Sequence, residues 1–93
     1  MRAFMVICTF KEGTDMAEVM SVVAEEQAQV AALTAEGRVG SLHLSLARGT
    51  VFIEAFADDE GDAGETVRTL PMARWWDLDV YPLSAPPAGG GAA

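Results

Sequence analysis

The sequence is poor in the residues that build cross-links, metal clusters and nucleic-acid surfaces. Its 93 residues include one cysteine and one histidine, so one chain can form no internal disulfide and no Cys/His zinc site. Six basic residues stand against 14 acidic ones, for a formal net charge of −8. This excess of negative charge argues against nucleic acid and anionic membrane surfaces as partners.

Long hydrophobic runs are missing as well. The apolar stretch FMVICTF near the N-terminus is too short to span a bilayer, and the first residues lack the layout of a signal peptide. We therefore expect a cytoplasmic protein that inserts in no membrane. What the sequence does have is a composition typical of a small folded domain, with 51% hydrophobic and 22% charged residues.

The hydrophobic pattern predicts one α+β domain over residues 1–83, followed by a flexible Pro/Gly/Ala tail over residues 84–93. Thr14 or Asp15 is expected to cap the first helix, and Gly37 to end it. The predicted elements are a strand over 2–10, a helix over 16–36, strands over 38–47 and 50–57, a short helix over 63–70 and a strand over 75–83.

This β-α-β-β-α-β order is that of the ferredoxin-like arrangement, a four-stranded antiparallel sheet with two helices on one face. The other face is predicted to be partly apolar, and one chain cannot cover it. Domains of this size also have little stability to spare, and oligomerisation is a common remedy. We therefore expect a homodimer or a higher homo-oligomer.

One acidic residue of the first predicted helix falls on its apolar side. At 100° per residue, Glu26 lies in the same stripe as Val19 and Leu33, with Gln27 on the same face, whereas Glu25 points to solvent. A carboxylate against an apolar sheet loses solvation, which raises its pKa. Two interpretations stay open: a general base or acid in a pocket between helix and sheet, or an acid at the stripe's edge that reaches water or an arginine.

The second strand carries a polar face. His43 has a pKa range suited to polarising a carbonyl or relaying a proton, although a lone histidine on a strand also fits a structural role. Ser41 and Ser45 share its face and are candidates for substrate binding. This face lines either the pocket or a dimer interface, and the pattern does not decide between them.

The last strand and the acidic run contribute the remaining candidates. Trp75 and Trp76 are neighbours on a predicted strand, so at most one of them lines the pocket and stacks on a flat substrate, while packing is the common alternative. Tyr81 is a candidate hydrogen-bond donor to substrate. Glu54 is a second acid on an apolar strand face. The acids over residues 58–65 lack EF-hand spacing and are expected to form a solvated loop and helix start rather than a metal site.

Three stretches of the chain resemble the muconolactone isomerase family of the dimeric α+β barrel superfamily. They are AEEQAQVAALTAEG at 24–37, SLHLSLARG at 41–49 and TLPMARWWDLDVYPL at 69–83. The resemblance implies a dimeric α+β barrel and an isomerase that shifts a proton across an unsaturated lactone without a metal or organic cofactor. Glu26 stands in the acidic pair in which that family carries its candidate base.

The chain departs from that family where a substrate anion would be bound. The family carries lysines around this acidic pair, whereas the neighbouring positions here are Val23 and Gln27. His43 and Ser45 stand where its second strand tends to carry Trp and Arg. A pocket without these cations suits a larger, more apolar substrate, such as a polyketide-like or aromatic lactone or a quinone.

Taken together, the residues and the resemblance predict a small-molecule isomerase or cyclase. Glu26 would be the proton shuttle, and Gln27, His43 or a tryptophan the orienting donor. Two alternatives stay open: a cofactor-free monooxygenase of quinone or anthrone substrates, and a non-catalytic small-molecule-binding module.

Overall fold

A computed structural model describes residues 1–85 and contains one antiparallel sheet with its helices packed on one face. The strands are β1 (Arg2–Phe10), β2 (Val39–Ser45), β3 (Thr50–Ala57) and β4 (Trp76–Pro82), in the sheet order β2-β3-β1-β4. The helices are α1 (Met16–Ser21), α2 (Val23–Ala35) and α3 (Glu60–Arg68), with 3₁₀ helices over Leu46–Arg48 and Pro71–Trp75. This architecture confirms the predicted ferredoxin-like α+β fold.

Two of the sequence expectations concern the C-terminal tail and the lack of a membrane-spanning segment. Of the tail predicted over 84–93, the residues from 86 onward lie outside the described residues. No helix within residues 1–85 is long and apolar enough to cross a membrane.

The single helix predicted over residues 16–36 is two helices in the structure. Asp15 caps α1 as expected, because its side chain accepts a hydrogen bond from Ala17 N–H at 2.9 Å. Val22, with φ −110° and ψ 13°, interrupts the helix, and α2 begins at the next residue. A helical-wheel projection at 100° per residue does not reveal this break, because the apolar stripe keeps the same phase on both sides of Val22. Gly37, with φ 74°, follows the end of α2 as predicted.

The last helix begins earlier than predicted. The pattern placed it over residues 63–70, whereas α3 starts at Glu60, because the Asp59 side chain accepts a hydrogen bond from Asp62 N–H at 2.8 Å and caps it. The acidic run therefore forms a helix cap and first turn, where the helix dipole favours negative charge. Within the described part of the chain, no cluster of three or more His, Cys, Asp or Glu side chains is arranged to hold a metal ion.

Residue alternation gives the sheet a covered face, against the helices, and an open face. The covered face is apolar and buried, and Cys8 belongs to it as a small core residue. Its central members are Phe4, Val6, Cys8, Val51, Ile53 and Ala55. The open face carries half-buried Met5, Ile7, Phe52, Glu54 and Phe56.

A β-bulge in β2 sets which side chains of this edge strand face the helices. Near its start, β2 contains one residue more than the stretch of β3 to which it pairs. Glu54 Oε1 accepts a hydrogen bond from Ser41 N–H at 3.1 Å, so its carboxylate satisfies a donor at the bulge. Beyond the bulge, Leu42 and Leu44 lie on the covered face and His43 lies on the open face.

Candidate active site

A cavity of about 490 Å³ lies between the helix pair and the covered face of the sheet. Its volume is in the range of small-molecule pockets. Most of its wall consists of apolar side chains, which come from α1, α2, the covered face of all four strands and the turn before β4. Glu26 and Gln27 are the polar side chains of this wall, apart from the indole of Trp76, and its lining contains no Lys, Arg or His from the described residues 1–85.

Glu26 enters this cavity from α2 and is 8% exposed. Its Oε1 accepts a hydrogen bond from Met72 N–H at 2.9 Å. Burial raises the pKa of Glu26 above its ordinary 4.5, and the Met72 hydrogen bond opposes that shift. Among residues 1–85 no basic side chain forms an ion pair with Glu26. One oxygen of the carboxyl group is therefore fixed by the Met72 N–H. The surroundings favour the neutral form of the group more than water does.

The thiol of Cys8, the one cysteine of the chain, is unreactive. Cys8 is buried in the core, and burial together with the negative charge of Glu26 raises its pKa to about 12. A thiol with so high a pKa carries almost no thiolate at neutral pH, and the thiolate is the reactive form. Cys8 is a packing residue beneath the cavity.

Gln27 and Trp76 are the other predicted site residues that line the cavity. Gln27 is exposed, whereas Trp76 is 2% exposed. The ring of Phe10 packs edge-on against the Trp76 indole, with 5.9 Å between ring centroids and 75° between planes. The indole Nε1–H of Trp76 has no hydrogen-bond partner within residues 1–85. Gln27 is thus a solvent-exposed amide donor of the wall, whereas the N–H of Trp76 is shielded from solvent.

The polar face of β2 is not part of this cavity. His43 pairs with Phe52 and Ser45 pairs with Thr50 on the open face, and Ser41 lies in the bulge. The structure therefore separates Ser41, His43 and Ser45 from Glu26 by the thickness of the sheet. Any contact of these three residues with a substrate would have to occur on the open face.

Trp75 and Tyr81 also lie away from the cavity wall. Trp75, predicted as the first residue of the last strand, instead ends the 3₁₀ helix before β4, and the Arg74 guanidinium carbon lies 4.8 Å from the centroid of its ring. Tyr81 is on the open face, where its hydroxyl donates a hydrogen bond to Asp79 Oδ2 at 3.1 Å. That hydrogen bond and the Asp79 charge raise the pKa of Tyr81. Of the two tryptophans, only Trp76 is among the lining residues, and because Trp75 precedes β4, strand alternation is not the reason.

Sequence reasoning missed one functional group altogether. Met72 supplies the backbone N–H that holds Glu26, and its side chain lines the cavity. A backbone donor leaves no mark in side-chain types. The local signal is Pro71, which ends the preceding segment and opens the 3₁₀ helix that presents the Met72 N–H.

A second groove, of about 450 Å³, lies between α3 and β4. Its wall includes Glu60, Glu65, Arg68 and Asp79, and none of the predicted site residues lines it. The cavity that holds Glu26 is therefore the candidate active site.

The fold and this site define a class of protein: a ferredoxin-like α+β domain with an apolar small-molecule cavity that contains one buried carboxyl group. The sequence model of the family described as muconolactone delta-isomerase matches residues 3–88. The chain belongs to the muconolactone delta-isomerase family, because this match covers most of its length. No curated protein matches the chain.

Proposed function

We propose that the protein is a cofactor-independent isomerase or cyclase that acts by proton abstraction and enolate chemistry on a small lactone or polyketide-like substrate. The observation that carries this proposal is Glu26, the one acid among the described lining residues, with a raised pKa, in a mostly apolar cavity of about 490 Å³. Membership of the muconolactone delta-isomerase family supports an isomerase of small molecules.

The proton balance of such a reaction requires one group that both takes and returns a proton. The Glu26 carboxylate removes a proton from a carbon next to the conjugated carbonyl, and the electron pair of that C–H bond moves onto the carbonyl oxygen as a dienolate. Glu26, now a carboxylic acid, then protonates another carbon of the conjugated system. Because its pKa is raised, Glu26 is a stronger base than a solvated glutamate. The Met72 N–H holds Oε1, which leaves Oε2 for the proton.

The same cavity favours a substrate without a negative charge. A bound carboxylate would share an apolar space with Glu26, and no cation among the lining residues would compensate it. The leucines of β2 and the methionines of α1 instead offer a large apolar contact surface. We therefore propose uncharged polyketide-like or aromatic lactones and ketones as the substrate class.

Hydrogen–deuterium exchange into a panel of neutral butenolides and polyketide-like ketones, followed by NMR in D₂O, tests this function. Glu26→Gln should slow exchange about 10²–10⁴-fold, the usual loss for a general base. Glutamine keeps an oxygen that can accept the Met72 N–H, so the variant removes basicity with little change of shape. Glu25→Gln removes the same charge from the exposed neighbouring residue of α2 and should retain the wild-type rate.

Other outcomes assign the site differently. If no compound exchanges in the presence of folded wild-type protein, enolisation is contradicted. Oxygen consumption with a quinone or anthrone would then identify a monooxygenase. Ligand binding by both the wild type and Glu26→Gln, with no turnover by the wild type, would identify a binding module. Exchange on a butenolide carboxylic acid but not on its methyl ester would contradict the proposed charge preference.

A further inference from the structure

One residue of the cavity wall carries a polar group that the structure leaves without a partner. Trp76 Nε1 is the one buried side-chain nitrogen or oxygen within residues 1–85 that makes no hydrogen bond. Buried indole N–H groups normally find a partner, because leaving one unpaired forfeits its hydration without compensation. Trp76 is 2% exposed and lines the same cavity as Glu26. An unpaired donor on a residue that lines the same cavity as Glu26 calls for a ligand atom as its partner.

Proton abstraction creates the need for such a donor. The reaction moves one negative charge from Glu26 to the substrate's carbonyl oxygen. The total charge in the cavity stays constant, but the negative charge now lies on the substrate. The Met72 N–H already serves Glu26 Oε1. The enolate oxygen therefore needs a different hydrogen-bond donor, and among the lining side chains the N–H groups belong to Gln27 and Trp76.

We propose that Trp76 Nε1–H is the oxyanion donor, which hydrogen-bonds the carbonyl oxygen of the bound lactone or ketone and stabilises the enolate; this role rests on the proposed function. Gln27 is exposed, so its amide must exchange a water for the substrate. The Trp76 donor is already dry and loses no water. Donors in water-excluded sites are those that contribute most to enolate stabilisation.

One continuous segment holds the base and the donor. The 3₁₀ helix Pro71–Trp75 presents Met72 N–H to Glu26 and leads directly into Trp76 at the start of β4. Because Nε1 is shielded from solvent, the indole ring must turn slightly when a substrate enters. Met72 and the other methionines of the wall are the flexible side chains that can yield to it.

An indole N–H spectrum of ¹⁵N-labelled protein tests the contact directly. The chain has two tryptophans, so Trp75→Phe assigns the two indole signals and leaves Trp76 alone. The ligands are a neutral butenolide and a tetronate, which is a butenolide whose enolic hydroxyl has ionised and which therefore mimics the enolate. We expect the Trp76 indole proton to shift downfield with both ligands, and further with the tetronate.

Kinetics then separate a donor from a packing residue. Incorporating 3-benzothienylalanine in place of Trp76 keeps the shape of the ring and removes its N–H. We expect about 10²-fold slower deuterium exchange, the usual loss for one oxyanion donor, with little change in KM. Tetronate affinity should fall by more than butenolide affinity. Circular dichroism and thermal unfolding verify that the substituted protein is folded.

The outcomes distinguish this inference from the proposed function. Wild-type exchange rates with 3-benzothienylalanine, or an indole signal that no ligand moves, would overturn the donor role, while loss of exchange in Glu26→Gln would still support the function. A large loss of kcat in Gln27→Leu, together with an unaffected 3-benzothienylalanine protein, would assign the donor to Gln27 and overturn the role of Trp76. Absence of exchange in the wild type would overturn the function, and the donor role with it.

Discussion

Glu26 and Glu54 lie on opposite sides of the same sheet, and each accepts a hydrogen bond from a backbone N–H. Glu26 is enclosed between helix and sheet, is 8% exposed and has a raised pKa. Glu54 is half-buried on the open face, where its carboxylate binds the N–H of Ser41 in the β2 bulge. The comparison teaches that a cover of apolar side chains, rather than the backbone hydrogen bond, is what takes the Glu26 carboxyl group out of water.

The largest difference between the two faces is expected in packing. Phe4 is fully buried on the covered face, with 0% exposure, so Phe4→Ala should lower the free energy of unfolding by about 3–5 kcal/mol. Met5, the next residue, is half-buried on the open face, and Met5→Ala should cost about 1 kcal/mol in dilute solution. Urea unfolding measures both.

Protein concentration sharpens the same comparison. If a second copy covers the open face, the cost of Met5→Ala should grow with concentration, because dimerisation adds to the stability of the folded state. Sedimentation equilibrium of wild type and Met5→Ala reports the oligomeric state. Equal losses for Phe4→Ala and Met5→Ala in dilute monomer would contradict the assignment of the two faces.

The raised pKa of Glu26 should make stability and activity respond to pH in opposite directions. The folded state binds this proton more tightly than the unfolded chain, so the resulting stability is fully present below the ordinary pKa and is lost as pH rises through the raised value. At neutral pH, Glu26→Gln should therefore be more stable than wild type, and the difference should shrink in acid. Exchange activity needs the carboxylate, so kcat/KM should rise with pH through the same raised pKa.

Urea titrations over a pH series test the predicted change in stability, and exchange rates over the same series test the predicted rise in kcat/KM. Glu54→Gln lies on the other side of the sheet and should retain the wild-type pH profile of kcat/KM. A stability difference between Glu26→Gln and wild type that does not change with pH would contradict the burial of a titrating carboxyl group.

The smallest effect is expected at the bulge. A Cβ at Gly40 would clash with Glu54 Oε1 and approach Phe56 Cε2 to 3.0 Å. Gly40→Ala should displace the Glu54 carboxylate from Ser41 N–H and cost about 1 kcal/mol of unfolding free energy. The cost should be smaller in a Glu54→Ala background, as a double-mutant cycle measures. Equal costs in both backgrounds would mean that the carboxylate is not what the new methyl group displaces.

Local patterns predicted much of the fold because they depend on neighbouring residues. The alternation over residues 50–57 coincides with β3, and the wheel that placed Glu26 among apolar residues still holds after the break at Val22. The order of elements and the α1 cap at Asp15 follow from the same local rules. The break itself went unseen, because Val22 changes the backbone without shifting the phase of the stripe.

Strand alternation left the candidate site incomplete for a different reason. It states that His43 and Leu42 point in opposite directions, and it does not state which of them faces the helices. The bulge at Ser41 adds one residue and resets that relation within the strand. The side of the sheet that receives each residue is therefore a property of the packed sheet.

The sequence by itself determined the β-α-β-β-α-β order, the apolar stripe that contains Glu26 and the scarcity of cations, because periodicity, capping and composition are local properties. Only the tertiary structure decided that Glu26 is covered and that the N–H of Met72, 46 residues further along the chain, holds it. It also decided that Trp76 lines the same cavity and that its Nε1–H has no partner among the described residues. Desolvation and hydrogen-bond partnership depend on segments that meet only when the helices close over the sheet.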